Sequence, residues 1–388
     1  CLFRVGEGKR RGPKDVQARS GTGTGSWATF AAMATYRALG IMSGSSLDGL
    51  DLALCALTER RGRWSHAIVK ARTVPYPQGL RDRLLIAMQG SAFELARLDS
   101  DLGGFIGLAA KRFLRGEQAD LVASHGHTIF HQPRLGFSTQ IGSGARIAAV
   151  TGIPTICDFR SADVATGGQG APLVPLGERL LFPDYKAFIN LGGICNISLH
   201  GPQRIIGYDV CIGNQALNHL AGEAGLPFDR DGALARGSHF DADLYAELNR
   251  LAFHRRRPPK SLGREWFEES VLPLIDDRHE PVGKRIRTVV EHIAWQLAKA
   301  LKHAEGPVLV TGGGAHNRFL VERIAAHGRA LLVLPPKATI DFKEALIFAL
   351  LTLVYIALAT AGHDDHGHTT EPGEAPRPVA APATGGGD

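Results

Sequence analysis

Gly40-Ile-Met-Ser-Gly-Ser-Ser-Leu-Asp-Gly-Leu-Asp51 reads as an apolar strand, a glycine-rich turn and a second apolar strand, and Phe188-Ile-Asn-Leu-Gly-Gly-Ile-Cys-Asn-Ile-Ser198 repeats that layout. The repeated layout suggests a fold in which two halves each offer a turn to one ligand. Small residues at Ser43, Gly44, Ser45, Ser46 and Gly49 leave backbone N–H groups free to face an anion. Asp48 and Asp51 beside the first turn are suited to a divalent cation. A third cluster, Val308-Leu-Val-Thr-Gly-Gly-Gly-Ala-His-Asn317, runs from a strand through glycines toward a helix start, which favours negative charge. No G-x-x-x-x-G-K-[ST] occurs, so this is not a P-loop chain.

At 388 residues, 44% hydrophobic and 21% charged, the chain is ordinary globular protein long enough for two domains. Runs of strand and helix character alternate, the pattern of an α/β architecture. Leu121–Ala123, Ala187–Leu191 and Val308–Thr311 read as buried strands, and 79–115 and 283–304 as helical. A lobe boundary is expected near 155–210 within a body spanning 33–362, with the C-terminal helix returning to the first lobe. Residues 1–32, basic and without apolar periodicity, read as a disordered extension, and 363–388 as a disordered tail. The seventeen uncharged residues of 345–361 sit at the lower edge of a membrane span, but Lys343 and Glu344 adjoin them. A buried interdomain helix is the expectation there.

Removing the ends leaves the body a net charge of about +6 from the same count, enough to favour a phosphorylated ligand. No aromatic-interleaved basic stripe supports nucleic acid. Five scattered cysteines without a C-x-x-C pair point to a reducing compartment. His125, His127 and His131 lack the spacing of a zinc site and read as ligand contacts or hydrogen-bonded structural groups. Asp209 follows an apolar strand and precedes a turn, where a carboxylate can be buried and aimed; the competing expectation is a helix cap. The loops Gly167–Pro172 and Pro259–Phe267 are polar, of the kind that lines a site.

Together these segments resemble the anhydro-N-acetylmuramic acid kinases, of the sugar-kinase and actin superfamily. The motifs stand in order from Ala38 to Ala361: Met42-Ser-Gly-Ser-Ser-Leu-Asp-Gly49, Ser124-His-Gly-His-Thr128, Asp158-Phe-Arg160 with Gly167-Gly-Gln-Gly-Ala-Pro-Leu-Val-Pro175, Asn190-Leu-Gly-Gly193, Pro259-Lys-Ser-Leu-Gly-Arg-Glu265 and Gly312-Gly-Gly-Ala-His-Asn317. The resemblance implies two RNase-H-like α/β domains flanking a nucleotide cleft, ATP and Mg²⁺, a cytoplasmic location and, in many members, a homodimer. It implies a reaction in which water opens the 1,6-anhydro bridge of an amino sugar at C1 while O6 takes the γ-phosphoryl group, giving N-acetylmuramic acid 6-phosphate in cell-wall recycling. Asp209 is then the base. Gly44, Ser45, Ser46, Leu47, Asp48, Gly49, Leu50 and Asp51 hold phosphates, with Asp48 on the metal directly or through water. Asn190, Gly192, Gly193, Gly312, Gly313, Gly314 and Glu344 lie on the nucleotide side, and Thr128, Gln140 and Arg160 contact the sugar. Three departures stand out: Val210-Cys211-Ile212 replaces the usual x-Gly-Pro, Asn218 an Asp and His127 a Gln. These leave open a kinase for another anhydro-sugar, or a nucleotide-binding sugar sensor.

Overall fold

The structure is a computed structural model, describing residues 2–3, 35–44, 47, 49–276 and 279–361. The tail 363–388 and nearly all of the 1–32 extension therefore lie outside the described residues.

The strands are β1 (Leu2–Phe3), β2 (Thr35–Ser43), β3 (Leu50–Arg60), β4 (Arg63–Val74), β5 (Leu121–Ser124), β6 (His127–Gln132), β7 (Phe137–Ile141), β8 (Thr155–Cys157), β9 (Ala187–Leu191), β10 (Ile194–His200), β11 (Ile205–Ile212), β12 (Pro307–Thr311) and β13 (Leu331–Val333). The first sheet has the order β1-β8-β5-β2-β3-β4 and the second β11-β10-β9-β12-β13; β6 and β7 form a separate hairpin. In each sheet an antiparallel three-strand meander is followed by two strands parallel to its first member. The same unit thus occurs twice, as expected of two RNase-H-like lobes.

Parallel strands need crossovers, and helices supply them. Ala92–Phe113 lies between β4 and β5, and Arg318–His327 between β12 and β13. The helical stretch expected over 79–115 is broken. Gln78–Leu85 ends in a short 3₁₀ turn (Ala87–Gln89), and Ser91 then starts a new helix through a reciprocal capping box with Glu94. The 283–304 expectation corresponds to Val282–Ala300.

The two faces of the first sheet differ in residue size, and that decides what packs on each. Leu39, Ile41, Leu52 and Leu54 meet Leu98, Leu102 and Ile106 of Ala92–Phe113. Ala38, Ala53 and Cys55 face the other way, against Ala345–Leu351 of the C-terminal helix Lys337–Ala361. A Cβ at Gly40 would stand 1.8 Å from Ala345 O, so this helix can lie on the sheet only because that strand face is small. Leu346, Ile347, Phe348, Leu350 and Leu351 are at most 1% exposed, each contributing about 1.5–3 kcal/mol over an exposed position. No helix among the described residues is long and apolar enough to cross a membrane. The helix begins beside the second sheet, where Gly312 N–H donates to Ile340 O at 3.1 Å. It departs from helical geometry at Phe342 (φ −122°, ψ 17°), immediately before Lys343 and Glu344.

Candidate functional site

In open α/β sheets, ligands bind off the carboxyl ends of parallel strands. In the first lobe those ends are Ser43 (β2), Ser124 (β5) and Cys157 (β8). In the second they are Leu191 (β9), Thr311 (β12) and Val333 (β13). All three glycine clusters of the sequence leave from such ends.

The first turn is buttressed from below. Tyr76 OH donates to Ser43 Oγ at 2.7 Å, and Ser43 Oγ lies 2.9 Å from His127 Nδ1. Burial lowers His127 to about 4, so the imidazole in contact with Ser43 stays neutral. Leu47 is buried with φ +54°, and its N–H reaches Gly44 O at 3.3 Å. Gly49 is required by its neighbour strand, since a Cβ there would come within 2.8 Å of Val74 O. Leu50 is buried, and Asp51 accepts from Thr73 Oγ1 at 2.5 Å. Ser45, Ser46 and the expected metal ligand Asp48 lie outside the described residues.

In the second lobe two turns close on each other. Gly213 N–H donates to Gly193 O at 2.8 Å, Asn214 N–H to Gly192 O at 2.9 Å and Asn214 Nδ2 to Leu191 O at 3.3 Å. Gly312 (φ +84°) packs so tightly that a Cβ would lie 2.4 Å from Asn190 Oδ1. One at Gly314 would meet Leu191 Cβ at 2.9 Å and Asn214 Oδ1 at 3.0 Å, whereas one at Gly313 would find only Asn214 Nδ2, at 3.6 Å. Asn190, Gly192, Gly193 and Gly312–Gly314 thus form one cradle lined by backbone, the kind of surface a polyphosphate fits.

Asp209 stands inside β11, correcting the expectation that it follows the strand. The helix-cap alternative is also excluded, because Asn214–Glu223 begins at Gly213 without a side-chain cap. Register places Asn190, Asn196 and Asp209 side by side across β9, β10 and β11. Their sheet face is polar, while Ile189, Cys195, Ile197, Val210 and Ile212 face the core of the lobe. The pairing slips after Asp209: Cys195 opposes Cys211, and Asn196 opposes Asp209, leaving Val210 as the extra residue of a bulge. Bulges re-aim side chains beside functional sites. The altered Val210-Cys211-Ile212 segment is therefore ordinary buried strand with a bulge next to the acid.

That polar row lines a cleft of about 780 Å³ shared with Tyr208, Arg256, Lys260, Lys343 and Glu344. Its other walls include His131 and Gln132 from the first lobe's hairpin and Gln169 and Pro172 from the glycine-rich loop. Burial raises Asp209, opposed by the Leu262 N–H on its Oδ2 (2.9 Å) and by the Lys260 charge. Sequence reasoning missed the ion pair at the cleft floor, having counted Lys343 only as a charged flank. Lys343 Nζ bonds Glu178, which also accepts from Ser198 Oγ at 2.5 Å and lies 3.5 Å from His200 Nε2. Burial pushes the Glu178 carboxyl up, but Lys343, His200 and Ser198 outweigh it and hold it at about 2. Glu344, partly buried next door in the cleft wall, is raised by burial. An acid inside the apolar Val174–Leu181 helix was the available signal.

The expected sugar contacts Thr128, Gln140 and Arg160 stand on the first lobe behind the lining of this cleft, with the Arg160 charge felt by Glu344 of its wall. Gln140 Nε2 donates to Thr128 Oγ1 at 3.0 Å across β6 and β7, and Gln140 lines a smaller hollow of about 300 Å³ with Asp99, His125 and Asp158. Arg160 donates through Nη1 to Gly170 O at 2.7 Å and sits 3.0 Å from His125 Nε2, with Nε buried and unpartnered. His131 Nδ1 lies 3.1 Å from Ser138 Oγ, so each histidine of the 125–131 run has a hydrogen-bond partner. Among the described residues, the group able to gather metal-type ligands is His219, Glu223 and Asp276, away from this cleft.

Burial sets an acid limit on this fold. It lowers His125 to about 3, with Arg160 adding to the effect, and His254 to about 4; His292 lies well below its ordinary value. Their folded pKa values fall below the unfolded value near 6.5, so the unfolded chain binds protons first as pH drops. The stability they supply is complete above about pH 6.5 and is lost as pH falls toward about 4. The thermal midpoint is expected to fall steadily between pH 7 and 5 in a calorimetric series, and a flat profile would contradict this.

Comparison with known proteins follows the same outline. A family model described as anhydro-N-acetylmuramic acid kinase matches residues 36–369. A Gloeobacter violaceus protein of that name is 35% identical over 348 residues, covering 81% of this chain and 90% of that one. One from Pseudomonas paraeruginosa is 37% identical, covering 75% and 83%, and one from Vibrio cholerae 35% identical, covering 81% and 90%.

Proposed function

The chain belongs to the anhydro-N-acetylmuramic acid kinase family, and we propose that it performs that family's reaction in the cleft holding Asp209. It is a phosphotransferase that uses ATP to convert 1,6-anhydro-N-acetylmuramic acid to N-acetylmuramic acid 6-phosphate in peptidoglycan recycling. One observation carries the assignment of the site: the Asn190–Asn196–Asp209 row faces the cleft, and Asn190 at its end also packs against Gly312 of the backbone cradle.

In this reading the cradle and the Gly44–Asp51 turn take the ATP phosphates from the two lobes, with Glu344 between them. ATP supplies the γ-phosphoryl group when bound, and Asp48, directly or through water, would hold the Mg²⁺ that neutralises its charge. Asp209 accepts a proton from water as the water oxygen bonds C1 and the C1–O6 bond breaks. The freed O6 takes the phosphoryl group, and the β–γ bridge leaves with ADP. Asn196 and Asn190 hold polar groups of the reacting pair beside Asp209. Thr128, Gln140 and Arg160 shape the sugar side from the first lobe, where Arg160 Nε is the donor left for a ligand. A cytoplasmic location fits the need for ATP.

A coupled ADP-release assay tests this. ADP is expected only when ATP, Mg²⁺ and 1,6-anhydro-N-acetylmuramic acid are all present. A higher kcat/KM for another anhydro-sugar moves the reading to that sugar. ATP binding without turnover on any sugar makes the chain a sensor.

A further inference from the structure

One loop grips Asp209 at both ends. Its backbone N–H donates to Lys260 O at 3.1 Å, and its Oδ2 accepts from Leu262 N–H at 2.9 Å. Lys260 and Ser261 of the same loop line the cleft. The Lys260 ammonium is half-buried in an unusual setting: 3.3 Å from Phe253 O, 4.3 Å from the Phe253 ring centroid and 6.0 Å from that of Tyr208. Among the described residues no carboxylate lies within ion-pair distance of it. Rings and a carbonyl hold the cation in place without cancelling its charge.

We propose that Lys260 is a positioning residue for Asp209: its loop fixes the direction of the carboxylate, and its ammonium supplies the through-space charge that keeps the carboxylate ionised when it meets water. This rests on the reading of Asp209 as the base. A buried acid alone drifts toward its neutral form, which cannot take a proton. Burial does raise Asp209, and the Leu262 N–H and the Lys260 charge act against it. The influence is mutual, for burial lowers Lys260 while Asp209 and Cys211 raise it. The other titratable or charged groups around this loop and cleft wall are Tyr208 and Cys211 on the same strand, His254, Arg256 and Lys299 behind the loop, and Glu178, Lys343 and Glu344 in the cleft. Glu178 is already bound by Lys343, and it is the Lys260 charge that acts on Asp209 against its burial.

The test is the pH profile of kcat for wild type, Lys260→Met and Lys260→Arg, with thermal midpoints recorded beside it. The acid limb is expected to move up by about one pH unit in the Met variant and to return in the Arg variant. KM for ATP should change less than about twofold, since Lys260 touches none of the cradle. A Met variant slower at every pH with its limb unmoved would reduce Lys260 to packing and overturn the proposal. If wild type shows no sugar-dependent turnover, the kinase reading fails separately. Lys260 is then judged on ¹³C-Asp-labelled protein, with the Asp209 signal identified by its loss in Asp209→Asn. Equal titration midpoints in wild type and Lys260→Met would overturn the proposal there too.

Discussion

Asp209→Asn is expected to lower kcat by about 10²–10⁴-fold, the range that a positioned general base contributes. The substitution is close to isosteric, and the Asn carbonyl can still accept from Leu262 N–H as Oδ2 does at 2.9 Å. ATP affinity should hold within about threefold, because the nucleotide cradle is built from Asn190, Gly192, Gly193 and Gly312–Gly314, one strand row and two turns away. The thermal midpoint should not fall, since a buried carboxylate opposed by its own desolvation is replaced by a neutral amide. Steady-state kinetics with calorimetry on the same preparation checks all three. Activity within about threefold of wild type would remove Asp209 from the chemistry.

Lys343→Met is expected to produce the largest loss of stability. The Lys343 and Glu178 side chains are 4% and 3% exposed, so removing the cation strands a charge that water cannot reach. Breaking such a pair from one side costs about 3–5 kcal/mol. For a chain of this size the midpoint should drop by about 5 °C. Ser198 and His200 still contact Glu178, which keeps the loss from running higher. Adding Glu178→Gln should recover part of it, because the two changes share one interaction and do not add. A single Lys343→Met within about 1 kcal/mol of wild type would show that the pair contributes little. The pair joins Val174–Leu181 to the kinked start of Lys337–Ala361, so its loss is also expected to loosen the cleft floor.

Legibility in the sequence followed the range of the interactions involved. The strands at Leu121–Ala123, Ala187–Leu191 and Val308–Thr311 were readable because short apolar runs ending in Gly or Ser carry their own signal. The repeated hairpin layout led to the duplicated sheet order. Asp209 was picked out as the acid, yet its place inside β11 depends on pairing with Asn196, thirteen positions earlier, and no local pattern encodes that. Nor is the bulge at Val210 visible without its partner strand. The break before Ser91 was available as a Ser-x-x-Glu box, overridden by the apolar periodicity on either side. The pairing of Glu178 with Lys343 spans 165 residues, and only the return of the last helix across both lobes brings them together. Gly40 and Gly49 show the same limit. Turn composition suggested backbone open to a ligand at Gly49, and Gly40 stood within the apolar strand, but the need for glycine at both comes from Val74 O and Ala345 O, contributed by distant segments.

The most direct measurement is the fate of solvent oxygen: ATP, Mg²⁺ and 1,6-anhydro-N-acetylmuramic acid turned over in ¹⁸O-water, with product read by mass spectrometry and NMR. The account predicts one ¹⁸O at C1 and an unlabelled phosphate ester at O6, both absent with Asp209→Asn. Turnover that leaves C1 unlabelled, or a labelled product undiminished in Asp209→Asn, would contradict it.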